Sequence, residues 1–182
     1  RPAHRARRFA GGLRIGPISS EDRRWAMSWL SPAEQKLFAR MSNSDQRHAV
    51  DVAHRAEVLL VEDPPDAGRS TSTDVVDVTD VMAAALPHDV GKVVAGLGLY
   101  GRVVATLSGV VAGADYAEAW QEKSGFTRRV GLYLRYGELG ADLLRVAEAS
   151  PLVVSWAAEH HLPADRRTLP PDVGRILVAA DR

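Results

Sequence analysis

"NSDQRHAVDVAHRAEVLL", residues 43–60, is the stretch on which the reading of this chain turns. Apolar residues recur at helical spacing up to Leu60, and Asn43 or Ser44 stands at its head as a cap, so it predicts an amphipathic helix. It carries two of the six histidines, His48 and His54. They lie six residues apart, about 120° around a helix at ~100° per residue, so they do not share a face. His48 has Val52 and Arg55 on its own face, at i+4 and i+7. We read His54 as a surface or packing residue and keep His48 among the histidines considered together below.

Helical signals continue on both sides. "SPAE" at 31–34 is a capping box with proline at the first helical position. "SEDRRWAMSWL" at 20–30 opens with a serine cap and an acidic first turn. Beyond a polar loop at 61–73, residues 74–86 lead into "VMAAAL", an apolar helix. Helical segments follow at about 127–134 and 138–149, then "SPLVVSWAAEHH" with Ser150 as cap and Pro151 at N1, then "DVGRILVAAD". No run alternates with period two between hairpin turns. The fold class is all-α: one helical domain over 17–182, with N-terminal helices at 17–41. These helices are either a cap on the core or a homodimer contact. Trp25, Trp29 and Trp156 fall on apolar helix faces and are read as core.

Composition bounds the function. The net charge is zero, which argues against nucleic acid as the main partner. There is no cysteine, which excludes disulfides and thiolate metal sites. The ligand types left are His, Asp and Glu, suited to Mn, Fe, Mg or a non-thiolate Zn site. Residues 93–114 are long and apolar enough for a membrane span, but Arg102 near the middle and five glycines favour a core helix instead. Residues 1–16 are a basic tail read as disordered. No apolar run follows its arginines, so no signal peptide is read and a cytoplasmic location is expected. The chain starts with Arg1 rather than Met, which reads as trimming at one or both ends.

The histidines carry the chemistry. His4 lies in the basic tail and is set aside. His88-Asp89 in "LPHDVGK" and His160-His161 each place two ligand heads at one point of the backbone. In chain order the set reads His48, His88-Asp89, His160-His161, Asp181. This order, with "HDVGK" and "RILVAAD", resembles the HD superfamily of metal-dependent phosphohydrolases over about residues 42–182. The segment "EHHLPADRRTLPPDVGRILVAAD" resembles its HD-GYP branch.

The resemblance implies an HD-like helical bundle and hydrolysis of a nucleotide or other small phosphate ester by a metal-activated water. It implies a first divalent ion on His48, His88, Asp89 and Asp181. A second would sit on His160 and His161 and share Asp89. Asp89 and Lys92 are then the catalytic candidates. Lys92 would contact a phosphate oxygen, with Arg175 and Arg166 as weaker substrate contacts. Three departures stand out. Pro87 directly before His88 should end or kink the helix at Leu86. Tyr136 stands where relatives of that branch carry another histidine. The G-Y-P loop is missing, so cyclic di-GMP hydrolysis is not supported. The alternative to an enzyme is a degenerate HD domain that binds a ligand without turnover.

Overall fold

The computed structural model describes residues 16–64, 77–97 and 119–182, and those residues are all-helical, with no strand among them. The basic tail up to residue 15 lies outside them. So do most of the polar loop at 61–73 and residues 98–114 of the long apolar stretch.

The N-terminal helices start where side chains satisfy the first free N–H groups. Ser19 caps α1 (Ser20–Ser28) by accepting from the Asp22 N–H. Ser31 and Glu34 close both hydrogen bonds of the capping box that opens α2 (Pro32–Arg40). The long helix α3 spans Asn43–Glu62. Its cap is Ser42, not Asn43 or Ser44: the Ser42 hydroxyl accepts from the Asp45 N–H at 3.2 Å. Asn43 is thereby the first helical residue.

Helix α4 (Val78–Ala85) is the hub. From Val81 to Leu86 every residue is buried, as expected of a helix with no polar stripe. It packs on α3, on α8 (Pro151–Glu159) and on α9 (Pro171–Asp181), and α9 also lies along α3. The core between them contains Val52, Ala56, Met82, Trp156, Ile176 and Leu177. Burying side chains such as Met82, Ile176 and Leu177 stabilises by roughly 1.5–3 kcal/mol each. Ile18, Ala26, Leu30, Leu37 and Phe38 belong to this same core, so the N-terminal helices pack on it. Trp25 and Trp29 lie edge-to-face against each other at its margin, 6.3 Å apart.

A short helix α5 (Lys92–Ala95) follows α4. It ends at Gly96, which takes a left-handed conformation with φ 59°. The start of the apolar stretch at 93–114 is therefore not continuous helix. Helices α6 (Gly125–Leu134) and α7 (Tyr136–Val146) break at Arg135, whose backbone leaves the helical region. They start slightly earlier than the sequence pattern places them, and α7 stops three residues sooner. Helix α7 bridges α5 and α8. Among the described residues, no helix is long and apolar enough to cross a membrane.

Candidate metal centre

The turn after α4 builds the centre. Leu86 still donates to the Met82 carbonyl, but Pro87 has no N–H to offer and the helix stops. The backbone then tightens into three-residue turns: Val90 N–H to Pro87 C=O at 2.9 Å, and Lys92 N–H to Asp89 C=O at 3.0 Å. This puts His88 and Asp89 into the interior, 1% and 2% exposed. Pro87 therefore does not turn the pair away from the core. Gly91 is fixed by close approach rather than by φ. A Cβ there would lie 1.8 Å from the Tyr136 carbonyl oxygen and 2.6 Å from the Gly140 nitrogen. Helix α7 rests directly on the backbone of this turn.

Four segments meet at the turn. His48 comes from the first third of α3, His160 from the end of α8, and Asp181 from the last turn of α9. The Nδ1 atoms of His88 and His160 lie 2.8 and 3.0 Å from the carbonyls three residues back, Ala85 and Ala157. A carbonyl only accepts, so each Nδ1 carries a proton, and in the neutral imidazole each Nε2 presents a bare lone pair. Those nitrogens face carboxylates. His88 Nε2 is 3.7 Å from Asp89 Oδ2 and 3.6 Å from Asp181 Oδ1, while His160 Nε2 is 3.7 Å from Asp89 Oδ1. His48 Nε2 is 3.0 Å from the same Asp181 oxygen. One ligand atom each from His48, His88 and Asp89 lies within 4.8 Å of the other two, a group that can hold a metal ion.

These spacings fit ligands around an ion. For bonds of about 2.1 Å, donor atoms are separated by about 3.0 Å along an octahedral edge and about 3.4 Å along a tetrahedral one. The protonation states fit as well. Burial pushes Asp89 upward, but His88 and Lys92 outweigh it and hold the carboxyl well below the ordinary carboxylate range. Asp181 is also lowered: burial opposes this, but the His48 hydrogen bond and His88 prevail. His160 is lowered to about 3 by burial, then by His88 and His161, so it stays neutral at ordinary pH. Neutral imidazoles and ionised carboxylates are the forms that bind metal.

The other half of the centre is filled by the chain itself. The Tyr136 hydroxyl contacts Nε2 of both His160, at 3.2 Å, and His161. It donates to the bare His160 nitrogen and accepts from His161. Burial and the Asp89 charge raise the tyrosine well above its ordinary value, so it remains a neutral phenol. His161 is exposed as a residue, yet partial burial of its imidazole lowers it. It reaches the cluster through Tyr136 and through its neighbour's ring, 3.9 Å away. The Lys92 ammonium pairs with Asp89 Oδ2 and lies 4.9 Å above the Tyr136 ring.

Other sequence candidates lie elsewhere. Arg175 pairs with Asp63 at the end of α3, and Arg166 is exposed in a 3₁₀ turn (Ala164–Arg166). No described hydrogen bond or ion pair joins either to the cluster. His54 stacks on Trp25 at 3.8 Å, a packing role. Arg55 was not among the site candidates, yet its Nε donates to the Ala180 carbonyl and ties α3 to the turn that bears Asp181. Its position on the His48 face was the available signal. No protein-family model, curated protein or solved structure matches the chain.

Proposed function

We propose that this chain is a divergent HD-type metal-dependent phosphohydrolase that acts on a nucleotide or another small phosphate ester. The observation that carries the reading is the convergence of His48, His88, Asp89 and Asp181. Imidazole nitrogens and ionised carboxylate oxygens face one another there, with a His48–Asp181 hydrogen bond at 3.0 Å among them. Buried carboxylates gathered with imidazoles call for a cation, and a divalent ion would supply it. A divalent ion in such a site polarises a phosphoryl oxygen and acidifies a bound water. The chain's own part is to hold the ligands. Ala85 fixes the His88 tautomer, and Arg55 steadies the turn that carries Asp181. Asp89 offers one oxygen toward His88 and the other toward His160. The neutral Tyr136 phenol is a hydrogen-bond donor at the edge of the same space.

Tyr136 favours a second reading, a binding module without turnover. Its hydroxyl occupies the two histidines that a second ion would use.

One experiment separates the readings. Bound metal is measured per chain by elemental analysis on protein purified without chelator, beside the Asp89→Ala variant. A generic aryl phosphodiester and a nucleotide panel are then tested for hydrolysis. The enzyme reading expects Mn, Fe or Zn near one equivalent, lost in the variant, together with turnover. Metal or nucleotide binding without turnover supports the module. No metal after incubation with excess Mn removes the metal centre altogether.

A further inference from the structure

We infer that Lys92 is a resident counter-cation, which a divalent ion must displace from Asp89 and which is thereby released toward the substrate. The inference rests on the metal-centre reading above and adds an order of events to it.

The site holds two carboxylates, Asp89 and Asp181, and their nearest imidazole nitrogens bring no full charge of their own when neutral. Among the described residues, the permanent cation paired with them is the Lys92 ammonium. It sits on Asp89 Oδ2, the oxygen that faces His88 Nε2. This is the oxygen that an ion on His48 and His88 would use. The lysine side chain is only 16% exposed, and its ammonium lies over the face of Tyr136. A carboxylate on one side and an aromatic face on the other are what a buried cation needs. Lys92 thus meets the electrostatic demand that a metal ion would otherwise meet.

Two cations do not share one carboxylate oxygen comfortably. When a divalent ion takes Oδ2, the ammonium is repelled and loses its partner. Its four-carbon stem lets it swing while its backbone stays bonded to the Asp89 carbonyl. The anion class that then suits it is a phosphoryl oxygen of the substrate. An ester arriving without metal finds the lysine already neutralised, so metal is expected to bind first.

The test compares wild type, Lys92→Met and Lys92→Arg by calorimetric titration with Mn, alongside the thermal shift that Mn produces. Removing the charge is expected to tighten Mn binding at least about tenfold, as loss of a competing like charge requires. It should also enlarge the Mn-induced thermal shift. Keeping the charge as arginine should leave the affinity close to wild type. A lysine that merely braces the turn would show no such split between methionine and arginine.

A second measurement uses wild type alone, should Lys92→Met not fold. Acetylation by an amine-reactive ester is followed by peptide mass spectrometry with and without saturating Zn. Lys36 and Lys123, both exposed, serve as internal references. Lys92 labelling is expected to rise several-fold with Zn, and the references to stay constant. Equal or weaker Mn binding in Lys92→Met, or unchanged labelling, overturns this inference and leaves the metal centre standing. No ion bound by any of the three proteins sinks both.

Discussion

Gly91→Ala tests whether the turn and α7 are built against each other as described. The added methyl group would sit 1.8 Å from the Tyr136 carbonyl oxygen and 2.6 Å from the Gly140 nitrogen. Both obstacles are backbone, so no rotamer change clears them. Restoring ordinary contact requires about 1.6 Å of separation between the turn and α7 in an interior packed at crystal-like density. Helix α7 cannot retreat freely, because Gly137 already brings it against the Ala157 carbonyl of α8, where a Cβ would have 3.1 Å. Overpacking costs about 1–3 kcal/mol where side chains can yield, so about 3 kcal/mol or more is expected here. For a chain of this length that lowers the melting temperature by roughly 6–12 °C. Gly96→Ala is the control. It has open space around it but φ 59°, so its cost is backbone strain alone, about 1 kcal/mol. Thermal melts followed by circular dichroism report both variants. If Gly91→Ala melts within a degree or two of wild type, or no lower than Gly96→Ala, the close approach of α7 to the turn is wrong.

Two further outcomes follow from the centre. His160 is held at about 3 in the fold against an ordinary value near 6.5, so between those values the unfolded chain takes up the proton first. Its contribution to stability is full above about pH 6.5 and falls as pH drops, by up to about 1.4 kcal/mol per pH unit. The depressed Asp89 and Asp181 lose theirs only below about pH 4. Metal-free wild type should therefore lose melting temperature from pH 6.5 to 4.5 faster than His160→Gln, and parallel curves for the two proteins would refute this. Arg55→Met removes the hydrogen bond to the Ala180 carbonyl beside Asp181. Mn affinity should fall roughly tenfold or more with helix content unchanged, as for other groups that orient a ligand. Unaltered affinity would show that Asp181 needs no such tether.

Much of the helical framework was legible because its signals are local. The serine and glutamate at 31–34 satisfy each other within one turn, and Pro151 fits a first turn wherever that turn is placed. The error of a residue or two at the start of α3 is of the same local kind, since Ser42, Asn43 and Ser44 are all competent caps and only one hydroxyl reaches the Asp45 N–H. The metal-ligand candidates were legible as a pattern, and the fold brings His48, His88, Asp89 and Asp181 together. What stayed hidden depends on distant partners. Nothing around "HDVGK" says that α7 will rest on Gly91. Nothing in a turn lysine says that it will face back onto Asp89. Arg175 was read as a weaker substrate contact, but it pairs with Asp63 at the end of α3.

The candidate ligands His48, His88, Asp89 and Asp181 belong to three separate stretches of chain. An ion held by all of them would act as a reversible crosslink between the beginning, middle and end of the helical domain. Such a ligand has no site on the unfolded chain, so it stabilises the fold by mass action, about 2.7 kcal/mol at a free concentration one hundred times its dissociation constant. Metal supply would then set how long each molecule survives proteolysis, apart from any chemistry the ion supports.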